Sequence, residues 1–190
     1  MKKLLFVPLT LALVAPLALC ATNLTDTANA QGTATTSETL SPVPVLTKDW
    51  YRYTAKDGSY SALFPGQPEE TVESDFVQVG YFDRANNRAY MTFKFKLRAN
   101  SNQNESEKVI DEGIASITQN GATVTDQKKI SLNGMSGREI TVRCKDGLVI
   151  KMRALIDPKE SLMYMAGVGH ENGDLDFPEA QAFLDSMSIK

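Results

Sequence analysis

The sequence predicts an α+β domain in which an antiparallel β-sheet of hairpins carries helices packed on its faces. Three observations predict it. Short runs of alternating apolar and polar residues recur between turns built from Gly, Asn, Asp and Pro. Two stretches, Asn104 to Gln119 and Phe177 to Met187, instead space their apolar residues at the helical period. The chain has 190 residues, 42% of them hydrophobic, which gives room for one ordinary core plus flanking segments.

The flanking material lies at the start. Met1-Lys2-Lys3 is cationic, and Leu4 to Leu19 is apolar apart from Thr10 and two prolines. This is the layout of a secretory signal, and the run is short for a spanning helix. Ala28 and Ala30 supply the small side chains a signal peptidase accepts, so residues 1–30 are expected to be removed before Gln31. A competing reading takes Leu17-Ala18-Leu19-Cys20 as a lipoprotein box, although Leu19 stands where a small residue is usual. Residues 31–48 are rich in Thr, Ser and Pro with no apolar period, and read as a flexible leader. Residues 49–190 form the single globular domain. The expected location is outside the cytoplasm, in the periplasm, the thylakoid lumen or the extracellular space. Attachment to a membrane is expected only if Cys20 is lipidated.

The formal charge is −3 and becomes one unit more acidic once Lys2, Lys3 and Asp26 are lost. Nucleic-acid binding needs a cation-rich surface, so it is not expected. After processing only Cys144 remains of the two cysteines, so no internal disulfide is expected and the core must supply the stability.

In chain order, Trp50 to Thr54 and Ser59 to Phe64 are strands flanking Lys56-Asp57-Gly58, and Pro65-Gly66-Gln67-Pro68 stops the second. Thr71 to Phe82 and Arg88 to Arg98 form the next hairpin. Opposing Phe82 with Arg88 places Val77, Val79 and Tyr81 on one face with Ala89, Met91, Phe93 and Phe95. The first helix follows, with Asn104 and Glu107 as a capping box, Ile110, Ile114 and Ile117 as its stripe, and Asn120-Gly121 as its stop. Its acidic face reads as solvated surface.

Ile130 to Val142 is the stretch on which the later hairpins hang. Asn133-Gly134 is the turn signal, and Gly137 with Arg138-Glu139 enters the next strand. A three-residue loop at Lys145-Asp146-Gly147 opposes Cys144 with Leu148, Val142 with Ile150 and Ile140 with Met152. It also sets Glu139 on the outer face across from Arg153, and leaves Arg138 on the core side at the sheet's edge. Opposing Ile156 with Leu162 puts Tyr164, Ala166 and Val168 on the core face. Val149, Leu155, Met163 and Met165 then share a second face too apolar to be wet, and the last helix, opening at Asp176 and Pro178, is its natural cover.

The early hairpin ending in Phe64-Pro65-Gly66-x-Pro68, the middle helix, the turn Leu132-x-Gly134-x-x-Gly137-Arg138-Glu139 and the closing Phe183 to Met187 together resemble the small secreted PsbP/Mog1-like domains of cyanobacteria and other bacteria. The resemblance covers about Trp50 to Lys190. It implies an α/β/α sandwich with helices on both sheet faces. Its best-known relative is the extrinsic PsbP subunit of photosystem II, and other members act as assembly factors or have no assigned role. Nothing catalytic is carried over by it.

No catalytic, metal or cofactor site is expected. His170 is the only histidine, and its neighbours Glu171, Asp174 and Asp176 read as acidic caps where strand gives way to helix. Cys144 alternates with Ile140 and Val142 on an apolar face, where a thiol is inert. Arg138, directed inward, needs partners, either structural or an anion. Lys94, Lys96, Arg98, Arg143, Lys151 and Arg153 share strand faces and form a candidate surface for an anionic partner. The function expected is that of a non-enzymatic exported protein that binds or helps assemble an envelope or membrane-associated protein, as an accessory of photosynthetic complexes in the sense of its resemblance. The alternative is a small-molecule or ion carrier with a pocket near Arg138, and an enzyme ranks third.

Overall fold

Turn chemistry sets the strand order. In the computed structural model, which describes residues 37–39, 49–97, 103–171, 173 and 175–190, Asn133 and Gly134 both take positive φ (50° and 80°) and join Leu132 directly to Met135. This is the two-residue hairpin whose twist matches that of its strands. Gly58 (φ 69°) and Gly147 (φ 91°) close the two Lys-Asp-Gly loops in the same left-handed region.

The elements are β1 (Ser37–Thr39), β2 (Tyr51–Thr54), β3 (Tyr60–Phe64), β4 (Glu69–Glu73), β5 (Phe76–Asp83), β6 (Arg88–Lys96), α1 (Gln103–Gln119), β7 (Thr123–Leu132), β8 (Met135–Arg143), β9 (Val149–Asp157), β10 (Leu162–His170), α2 (Pro178–Asp185) and β11 (Ser188–Ile189). An eight-stranded sheet runs in the order β1-β7-β8-β9-β10-β6-β5-β4, and a three-stranded sheet in the order β11-β3-β2. All pairings are antiparallel except β1 with β7. β1 lies within the stretch expected to be a flexible leader. Ala28, Ala30 and Cys20, on which the processing readings rest, lie outside the described residues.

Two apolar cores flank the large sheet. One, on the α1 side, gathers Phe93, Phe95, Ile110, Ile117, Ile140 and Ile156. The other lies between the large sheet, the small sheet and α2, and gathers Tyr60, Phe64, Tyr90, Leu155, Phe183 and Leu184. Edge-to-face contacts of the Phe183 ring with Phe64 and Tyr90, at 5.1 and 5.4 Å between centroids, seat α2 there. The expected α+β class, with cover on both faces, is therefore present.

The β8–β9 register agrees with the sequence reading: Val142 opposes Ile150, Ile140 opposes Met152, and Glu139 opposes Arg153. Three readings need correction. Thr71 to Phe82 is two strands, because Ser74-Asp75 turns the chain and Glu73 pairs with Phe76. The β5–β6 hairpin pairs Asp83 with Arg88, and β9–β10 pairs Asp157 with Leu162, each one residue away from the expected register. A one-residue slip moves every side chain to the other face. Val77, Val79 and Tyr81 thus join Tyr90, Thr92 and Lys94 on the α2 side, whereas Met163 and Met165 join Ala154 and Ile156 on the α1 side. Smaller differences lie at the helices. α1 opens at Gln103, one residue before the expected Asn104, and α2 ends at Asp185 instead of Met187.

Candidate functional site

Arg138 points to the α1 side, as its alternation requires, and is 9% exposed. Its guanidinium lies 2.7 Å from Asp111 and 3.8 Å from Glu107 of α1, and Lys129 reaches Glu107 at 3.0 Å. The acidic face of the helix thus meets two cations of β7 and β8 and helps fasten α1 to the sheet.

Among the described residues Lys94, Lys96, Arg143, Lys151 and Arg153 share one face, and α2 or the small sheet meets Lys94, Lys151 and Arg153 there. Lys94 donates to Asp57 and, at 3.1 Å, to the Ser59 hydroxyl. Hydrogen bonds from Lys94 and Ser59 hold the Asp57 carboxyl below its ordinary range. The Ser59–Lys94 spacing suits a nucleophile and base, yet the ammonium is committed to Asp57. Arg153 (4% exposed) lies 2.5 Å from Glu139 and 2.7 Å from Asp185, and Lys151 lies 3.1 Å from Glu139. Glu139 is 2% exposed, which corrects its expected outer-face placement, since α2 covers it. Burial pushes its carboxyl up, but the hydrogen bond and charge of Arg153, with Lys151 behind, hold it below the ordinary value. Lys96 and Arg143 are exposed, and Arg98 lies outside the described residues.

Cys144 is buried among core side chains, and it is not a free thiol, contrary to the expectation of an unpaired cysteine. His170, half-buried at the end of β10, meets the Phe177 ring edge-on at 5.9 Å. Among the described residues no group of three His, Cys, Asp or Glu side chains is placed to hold a metal, and no helix is long and apolar enough to cross a membrane.

The open site lies elsewhere, on the α1 side beyond the strands that α1 covers. Along β10 the residues facing this side run Met163, Met165, Gly167, Gly169. Their partners are Met152 and Met91 beside Gly167, and Ile150 and Ala89 beside Gly169. Large side chains therefore give way to none in the middle of the sheet. The result is a pocket of about 180 Å³ floored by the two glycines and walled by Met91, Ile150, Met152 and Met165. Phe82, Asp83, Arg84, Asn87 and Glu171 form its mouth, and Arg138 is not among its lining residues. Methionine walls adapt readily to an apolar guest.

Neither glycine is required by the backbone. Neither takes positive φ, and a Cβ at Gly167 or Gly169 would come no closer than 3.7 or 3.6 Å to another atom, which is ordinary contact. Gly167→Ala and Gly169→Ala are each expected to raise stability by about 0.5–1 kcal/mol, read as an increase in the denaturant midpoint, because glycine costs a strand that much relative to alanine. The signal in the sequence was Gly-x-Gly inside an otherwise apolar strand.

No protein-family model matches the sequence, and comparison with curated proteins finds no match. Among solved structures the chain is similar to a point mutant of the protein Mog1, at 8% identity and a TM-score of 0.48 over 74% of this chain and 96% of that one. It is also similar to a crystal structure from Bacteroides thetaiotaomicron VPI-5482, at 8% identity and a TM-score of 0.41 over 73% and 48% of the two chains. The α+β class rests on strand order and layering, and these likenesses bring neither activity nor partner to this chain.

Proposed function

We propose that the protein is a non-enzymatic binding domain, exported from the cytoplasm, that holds or helps assemble another envelope or membrane-associated protein through the glycine-floored pocket. The size of the pocket carries the reading. At about 180 Å³ it falls short of the roughly 300–1,000 Å³ of sites that enclose a free small molecule. It suits one large apolar side chain, the kind of anchor that dominates protein interfaces. A carrier site at Arg138 is disfavoured because Asp111 and Glu107 already engage that guanidinium. The test is affinity capture from the envelope fraction with the native protein and with Gly167→Leu, which fills the pocket. A protein retained by the first and lost with the second, both variants melting normally, is the expected result. Identical retention by both contradicts the reading.

A further inference from the structure

We infer that this surface also closes on a second copy of the chain, with Phe82 of each copy entering the glycine pocket of the other about a two-fold axis. The inference rests on the reading that the pocket receives an apolar side chain from a protein.

The glycines indicate what the pocket is for. Gly58, Gly121, Gly134 and Gly147 are needed for positive φ, and at Gly137 a Cβ would lie 1.9 Å from the Ala154 carbonyl oxygen. Gly167 and Gly169 meet neither need, so what they contribute is empty volume. That volume, about 180 Å³, slightly exceeds the roughly 150 Å³ of a dry cavity that takes up benzene. It is sized for one phenyl ring.

The same patch offers such a ring. Phe82, at 57%, is the most exposed large hydrophobic side chain among the described residues, and it stands on the pocket's rim. A ring and a ring-sized hole side by side make the patch self-complementary, as a two-fold interface requires, because each contact there occurs twice. The charges at the mouth obey the same rule. The Asp83 carboxylate accepts from Asn86, and Arg88 lies over the Phe177 ring at 3.8 Å and reaches Glu179 at 3.5 Å. Arg84 and Glu171, both exposed, have opposite signs. The two-fold can therefore set each against its opposite in the other copy. A fatty acid or anionic lipid would bring one unbalanced charge to a mouth of balanced sign. A protein partner at this pocket competes with the second copy, so dimer and partner complex exclude each other.

Sedimentation of the protein as its cells process it, across a range of concentrations, tests this. The native protein is expected to move from one chain to two. Phe82→Ser, which removes the ring, and Gly167→Leu, which fills the hole, should each weaken association by about tenfold or more. Mixing the two variants should restore dimers beyond either alone, because the Phe82 kept by Gly167→Leu still finds the open pocket of Phe82→Ser. A native protein that stays monomeric, or dimers indifferent to both changes, overturns the inference. Capture of another protein that is lost with Gly167→Leu but kept with Phe82→Ser leaves the binding reading intact in that event.

Discussion

Arg153→Met is expected to destabilise the fold by about 3–5 kcal/mol, the cost of stripping one member from a buried ion network. Glu139 and Asp185 are 2% and 6% exposed at their side chains, and Arg153 is the cation that touches both, at 2.5 and 2.7 Å. Without it two buried carboxylates remain, Glu139 beneath α2 and Asp185 at the end of α2, with Lys151 at 3.1 Å and Lys128 at 3.5 Å compensating only Glu139. The pH dependence gives the cleaner signature. In the native protein the Glu139 carboxyl lies below its ordinary value. Its contribution is therefore complete above the unfolded value of about 4.3 and is lost as pH falls below it. In Arg153→Met the strongest partner of that carboxyl is lost, while burial still raises it and Lys151 and Lys128 still lower it, so the loss of stability on acidification from neutral pH to about 4 should be shallower than in the native protein. Denaturant midpoints at the two pH values check this. A variant whose stability declines with acid in parallel with the native protein contradicts the assignment.

Gly137→Ala should cost on the order of 3 kcal/mol, the upper range for overpacking. The new methyl would sit 1.9 Å from the Ala154 oxygen and 2.9 Å from its carbonyl carbon, both backbone atoms of the neighbouring strand. Neither can turn aside as a flexible side chain would, so β8 must separate from β9. Gly134→Ala provides the contrast. Nothing lies within 4 Å there, and the cost is the left-handed φ of 80°, about 1–2 kcal/mol. Melting curves of the two variants should rank in that order, with Gly137→Ala well below Gly134→Ala.

The difference between these glycines explains what was legible in the sequence. Asn133-Gly134 and the two Lys-Asp-Gly loops declared themselves because their corners need positive φ and glycine stands there. The loops after β5 and β9 have their left-handed corners at Asn87 and Ser161, with φ of 53° and 52°, and carry no glycine signal. In both, an aspartate that looks like a loop residue keeps its backbone in the ladder while its side chain caps the loop. Asp83 accepts from the Asn86 amide at 3.3 Å, and Asp157 from those of Lys159 and Glu160 at 2.9 and 3.3 Å. Counting each aspartate into the loop lengthened it by one residue and exchanged the faces.

That slip also hid the pocket. In the expected register Gly167 and Gly169 share a face with Leu155 and Val149, beneath the last helix. In the structure they share one with Ile150, Met152 and Met91, beyond α1. The inward direction of Arg138 was legible from alternation alone, but its partners Asp111 and Glu107 required the docking of a helix that the sequence does not place. The cross-strand pair Glu139–Arg153 was legible, but not its burial, because that depends on α2 lying over it.

The claim that the pocket is the working surface is tested most directly by placing a photo-crosslinking phenylalanine derivative at position 82, on its rim, in the protein within its own cells. The expected result is an adduct to another protein or to a second copy of the chain, suppressed when Gly167→Leu is added. No adduct from position 82, together with one from a crosslinker at the exposed Lys96, would contradict it.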